Sequence, residues 1–237
     1  MDNLENQIIG ITIGIRFARS FRIPDISGSI IDNILYGDKT PFGVKKFTQV
    51  QEDPSGEKVL LNSKTKEYLR LNTDDVILGI SITNNFEEKF SWIKTDVLGY
   101  FKDELFKTYE INNIKRIGII FHHKIQKSDK LRGAISLITD DALNTTDNIN
   151  ISFSDKLPAM ESFRSGVNDY KNTIYNFEEA EEEIHASLDY QYYYVPAVGD
   201  LRECFVDKVF DGARLFLENN YYPWLSKYEN NKNKQAK

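Results

Sequence analysis

The sequence predicts an α+β fold, mainly antiparallel sheet packed by two long helices. Three observations predict it. Apolar residues alternate with small or polar ones in many short runs, as in half-buried strands. Two longer segments carry apolar residues at steps of three and four, as in amphipathic helices. The strands come in runs with helices between the runs, an order that favours antiparallel pairing.

In chain order, Ile9, Ile11, Ile13, Ile15 and Phe17 alternate with Gly10, Thr12, Gly14 and Arg16, which gives a strand with one bulky face. The alternate glycines leave a bare strip for close approach. Pro24 opens a helix that carries Ile26, Ile30, Ile34 and Leu35 on one side and stops at Gly37. Strands follow at Val44–Glu52, Val59–Asn62, Glu67–Leu71 and Val76–Thr83, separated by turn formers such as Asp53-Pro54-Ser55-Gly56. Asn85 and Glu88 form a capping pair ahead of Phe86, Phe90, Ile93, Val97, Phe101 and Leu105, one face of a long helix. Lys115–Phe121 is the next strand, with His122 and His123 at its end.

The second half reads in the same style. Ala134–Thr139 and Ile149–Phe153 are strands around the polar loop Asp140–Asn148, and Phe163–Asp169 is loop. Tyr170–Phe177 and Leu188–Val195 form a strand pair joined by an acidic run, Glu178–Glu183. A last helix starts at Asp200, with Leu201, Phe205, Val209, Ala213 and Phe216 in line and Pro223 near its end. Each half ends in strands followed by a long helix. The chain therefore divides into two strand-rich α+β modules, residues 1–125 and 133–228, or folds as one compact domain, with 229–237 as a disordered tail.

Composition bounds the function. Hydrophobic content of 41% and charged content of 28% over 237 residues are those of a globular protein able to bury its own core. A net charge of −6 argues against polyanion binding as the main activity. Cys204 is the single cysteine, so no internal disulfide can form, which suits a reducing cytoplasm. The chain opens without a basic, apolar leader and has no apolar run long enough to span a bilayer, so a soluble cytoplasmic protein without membrane contact is expected.

The candidate sites are few. His122 and His123 are imidazoles fit for base or ligand chemistry, but adjacent strand residues face opposite ways and cannot share one metal. His185 lies in an acidic stretch at no fixed spacing from them. Cys204 falls in a first helical turn, where the dipole lowers a thiol pKa, yet it also borders the buried stripe, where free cysteines serve as small hydrophobes. Tyr190, Tyr192 and Tyr194 share one strand face. They form either an exposed aromatic platform for a ligand or partner, or a core face covered by a long helix. Phosphate loops, nucleophile elbows, paired metal-ligand histidines and Cys-x-x-Cys are all missing. No catalytic residue, metal ligand or cofactor is assigned on this basis.

Three stretches resemble a sporadically distributed family of uncharacterised bacterial proteins of about this length. They are Thr12-Ile13-Gly14-Ile15-Arg16-Phe17, the aromatic helix and strand running through Ile114-Lys115-Arg116-Ile117-Gly118-Ile119-Ile120-Phe121, and Leu188–Tyr194 with Asp200–Trp224. The sequence departs from the family pattern at Ile120, where an arginine is usual, and at His122-His123. The resemblance supplies no enzymatic residues. Its patchy distribution implies an accessory or antiviral-defence setting. The expectation is thus a protein-binding subunit of a complex or homo-oligomer, with Tyr190, Tyr192, Tyr194, His122 and His123 as candidate contact residues. The alternatives are a small-ligand or nucleotide sensor, a hydrolase using His122 or His123, and a subunit of a nucleic-acid-guided complex, the one setting in which nucleic acid is expected.

Overall fold

A computed structural model describes residues 7–43, 46–52, 56–126, 150–158, 164, 167–179 and 183–225. The expected strand Ala134–Thr139, the loop Asp140–Asn148 and the tail 229–237 lie outside the described residues. Among the described residues nine strands form one antiparallel sheet: β1 (Ile8–Phe17), β2 (Gln49–Glu52), β3 (Lys58–Leu61), β4 (Tyr68–Leu71), β5 (Asp75–Ser81), β6 (Ile114–Gln126), β7 (Asn150–Pro158), β8 (Tyr170–Glu179) and β9 (Glu183–Val198). Helix α1 is Ile23–Tyr36. Helix α2 runs from Phe86 to Thr108, and α3 from Val206 to Leu225. The architecture is α+β, as the patterning predicts.

Strand order across the sheet is β2-β3-β4-β5-β1-β6-β9-β8-β7. Each half begins on a central strand, β1 or β6. The strand just before its long helix, β5 or β9, is the next one out. The two halves therefore mirror each other about the β1–β6 pair, where Gly14 faces Gly118. In that strand order the second half begins with β6, at Ile114. β6 hydrogen-bonds to both halves, so the two modules share one sheet.

One face of the sheet carries the core. Ile11, Ile13, Ile15 and Phe17 of β1, Val76, Leu78 and Ile80 of β5, and Ile117, Ile119 and Phe121 of β6 are all buried. Phe17 meets Phe106 of α2, and Phe121 meets Phe86 and Phe90. Phe90 also touches Phe210, which closes α3 onto the same side. Helix α1 joins them there through Tyr100, whose hydroxyl donates to Asn33, and Tyr109, whose hydroxyl donates to the Ser29 carbonyl.

Local chemistry explains the helices. Asn85 accepts the Glu88 amide through its side chain at 3.2 Å and starts α2. The steps of four at Ile93, Val97, Phe101 and Leu105 overshoot a 3.6-residue turn. Wider π turns at Ile93–Val97 and Phe101–Leu105 absorb the excess and hold the stripe on the core.

Two expectations are corrected. The last helix does not run from Asp200: Asp200 caps a single 3₁₀ turn, Leu201–Glu203, and α3 starts only at Val206. The chain breaks at Phe205, whose φ is 49°, so the helical phase resets. Phe205 is consequently 41% exposed, while Val206 and Phe210 take the buried places. Second, His122 and His123 do not end their strand. β6 continues to Gln126 because its polar residues go on pairing with Glu183–Ser187 of β9.

Candidate functional site

Strand periodicity makes two faces, and the helices cover one. The other face presents Arg16, Thr12 and Gly14 from β1, Ile77 from β5, Arg116, Gly118, Ile120 and His122 from β6, and Asp189, Gln191 and Tyr193 from β9. No described element packs over it. Its centre is low, because Gly14 and Gly118 oppose each other with no side chain between them. Further out, the Tyr68 ring lies across Gly79 so closely that a Cβ there would collide with it.

A row of side chains crosses this face at one end. Register places Asp75 opposite Arg16, Arg16 opposite Arg116, Arg116 opposite Tyr193, and Tyr193 opposite Tyr170. The two tyrosine rings stack at 4.5 Å with 8° between their planes. The Arg116 guanidinium lies 5.7 Å from the Tyr193 ring centre, and Lys156 Nζ lies 4.0 Å from that of Tyr170. Each ring thus has the other ring on one side and a cation on the other. Along β9 a hydrogen-bond rail continues from this row. Arg116 donates weakly to the Tyr193 hydroxyl (3.4 Å), Tyr193 donates to Gln191 Oε1 (2.7 Å), and Gln191 donates to Asp189 Oδ2 (2.6 Å). Burial holds the Asp189 carboxyl above its usual range, against the opposing pull of the Gln191 bond and Arg116.

At the other end of the face lies a polar cleft of about 350 Å³, bordered by His122, His185, Glu178, Asn176, Asn150 and Ser187 among others. His122 Nε2 is 2.9 Å from Thr12 Oγ1, and burial lowers its pKa, so the ring stays neutral at pH 7. Tertiary pairing brings His185 to this cleft, because Lys124 faces His185 while His122 faces Ser187. Among the described residues, no group of three or more His, Cys, Asp or Glu side chains could hold a metal ion.

The candidate contact residues fall on both faces. His123 points the other way from His122, into the core, 1% exposed between Tyr221 and Tyr222. Tyr190, Tyr192 and Tyr194 are 2, 0 and 4% exposed, so they line the helix-covered side and offer no open platform. Two of the hydroxyls find partners inside: Tyr192 donates to Asp169 (3.2 Å) and Tyr194 to the Cys204 carbonyl (2.6 Å). Cys204 is fully buried, and burial pushes its thiol up to about 12, the opposite of activation. Arg16, Arg116, Tyr193, Tyr170 and Lys156 were not singled out from sequence. The signal for Tyr193 was present in Tyr190–Tyr194, where the intervening tyrosine must face away from its neighbours.

No family model matches this chain, and no curated protein does. Among solved structures it is similar to Methanococcus jannaschii TBP, with 8% identity, a TM-score of 0.28, and coverage of 88% of this chain and 97% of that one. So slight a likeness carries no conclusion about fold or function. Among the described residues, no helix is long and apolar enough to cross a membrane.

Proposed function

We propose that this chain is a non-catalytic binding protein that docks a protein partner on the open face of its sheet. One observation carries the reading: a continuous sheet buries one face under three helices and leaves the other without a covering element among the described residues. Scattered reactive groups support it. His122 and His123 lie on opposite faces, Cys204 is sealed in the core, and no described acidic or imidazole cluster suits a metal. An accessory or defence setting for such a subunit is part of the proposal, and the resemblance to the sporadically distributed bacterial family is what suggests it.

The test is the native mass of the full chain purified from its own cells. The expected result is a complex that dissociates when Arg116 and Tyr193 on the open face are replaced by glutamate. It should survive Leu215→Glu, a change at a residue 56% exposed on α3. A monomer alone at micromolar concentration refutes the reading, and so does a complex indifferent to the open-face changes. A small-ligand role is the second reading, favoured by the His122–His185 cleft. It predicts thermal stabilisation by a small polar metabolite that the Asn176→Leu variant loses.

A further inference from the structure

We propose that the cleft at the His122 end of the open face binds a small neutral ligand with neighbouring hydroxyls, a sugar or polyol. The inference rests on the small-ligand reading above, names its ligand class, and stands apart from the docking of a protein partner.

Two side-chain rows meet at the cleft. Register sets His122 opposite Ser187 and Ser187 opposite Asn176; two residues further along, it sets His185 opposite Glu178. All five border the cleft, whose volume is about 350 Å³. Ligand clefts run from about 300 to 1,000 Å³, so this one suits a single sugar ring and not a chain of them. Its apolar side has a specific origin. β1 pairs Ile8 with His123 and Gly10 with His122, so Ile9 is an extra residue, a β-bulge. Unbroken alternation would bury Ile9 with Ile11 and Ile13. The bulge turns it out instead, 41% exposed and bordering the cleft. Bulges re-aim side chains in this way next to functional sites.

The polar groups around Ile9 include both donors and acceptors. Asn176 Nδ2 donates to Ser187 Oγ at 3.1 Å, which leaves the Asn176 carbonyl oxygen to accept and the Ser187 hydroxyl hydrogen to donate. His122 is held to Thr12 through Nε2 at 2.9 Å, which fixes the ring. Glu178 and His185 make no hydrogen bond or ion pair with the described residues. A hydroxyl both gives and takes a hydrogen bond, two adjacent hydroxyls can donate to one carboxylate, and the C–H groups of a sugar ring suit Ile9. Other classes match less well. An anion meets the Glu178 carboxylate, and Lys124, opposite His185, is already paired with Glu183 at 2.7 Å. An ammonium offers no acceptor to the amide, hydroxyl and imidazole donors. A metal ion would need a ligand group that the described residues do not supply.

The experiment titrates the full chain with D-glucose, D-ribose and myo-inositol as hydroxyl probes, and with inorganic phosphate and methylammonium as charged controls. The reporters are the imidazole Cε1–Hε1 resonances of the three histidines, assigned by their loss in His122→Gln, His185→Gln and His123→Leu. The expected result is a saturable shift of the His122 and His185 peaks with at least one hydroxyl probe, at a Kd of about 1 mM or below. The peak of the buried His123 should stay in place. Affinity should fall about tenfold in Glu178→Gln and in Asn176→Leu, the loss of about one hydrogen bond each. Glu178 is exposed, so its variant keeps the test decisive if Asn176→Leu fails to fold. Three outcomes overturn the proposal: no shift with any hydroxyl probe, shifts that both variants leave unchanged, or a charged control binding more tightly than every hydroxyl probe. The last of these keeps a small-ligand cleft and removes only the hydroxyl class, whereas silence from all five probes removes the small-ligand reading as well. None of these outcomes bears on the docking of a protein partner.

Discussion

The buried His123 should make the fold acid-labile in a way that one substitution abolishes. The ring is 1% exposed, and neither nitrogen has a partner of good geometry among the described residues. The Tyr221 hydroxyl, on a ring 5.2 Å away, is also without one. Burial lowers the imidazole pKa to about 3; a weak backbone contact to Phe121 opposes that shift, and His122 adds to it. In the unfolded chain the ring titrates near 6.5. Between those values the unfolded state binds a proton that the folded state refuses. The contribution is therefore complete above about pH 6.5 and falls by about 1.4 kcal/mol per pH unit on acidification. By pH 4.5 that amounts to nearly 3 kcal/mol, a large part of the roughly 5–15 kcal/mol that holds a domain together. His123→Leu keeps the volume near native and removes two unsatisfied polar atoms, so we expect a stability at pH 7 equal to or above wild type. Urea unfolding followed by circular dichroism at pH 7, 6 and 5 should show the variant's advantage growing by about 1.4 kcal/mol per unit below pH 6.5. His122, also lowered by burial, remains in both proteins and cancels in the difference. A difference independent of pH would refute the reasoning, because it would mean that the folded ring accepts a proton.

Three further outcomes follow from the packing. Asp169 is buried and receives Arg164 (Oδ1 at 2.5 Å), the Val195 amide (2.8 Å) and the Tyr192 hydroxyl; Asp169→Ala removes all three of these bonds and should cost about 3–5 kcal/mol in urea unfolding. Cys204, fully buried with its thiol raised to about 12, should react with a disulfide reagent only at the rate of unfolding, and a fast native reaction would contradict that burial. Gly79→Val should lower stability by about 1–3 kcal/mol because the Tyr68 ring occupies the space of the new side chain, and the companion Tyr68→Ala change should relieve much of that loss.

Much of the candidate site was latent in the sequence without being legible there. The alternation in Ile9–Phe17 places Arg16 with Gly14 and Thr12 on the side away from the isoleucines. The same rule separates Tyr193 from Tyr192 and Tyr194, and His122 from His123. What alternation does not say is which side is covered. The tyrosine trio looked like a platform because three phenols share a face. The structure puts that face under α3 and supplies the hydroxyl partners from Asp169 and the Cys204 carbonyl. The polar stretch from His122 to Gln126 gave no apolar signal for a strand, although its backbone pairs through to Glu183.

The sequence alone determined the helical stripe of α2, its Asn85 cap, the stop at Gly37 and the two-sided character of each strand. All of these depend on residues within a few positions of one another, and side-chain period and local hydrogen bonds suffice to set them. Only the tertiary structure decided that Gly14 meets Gly118, that Arg116 lies between Arg16 and Tyr193, and that His185 comes to the cleft beside His122. Those neighbours are separated by tens of residues or more. Their meeting follows from strand order and register, which the whole buried face selects together and no local pattern encodes.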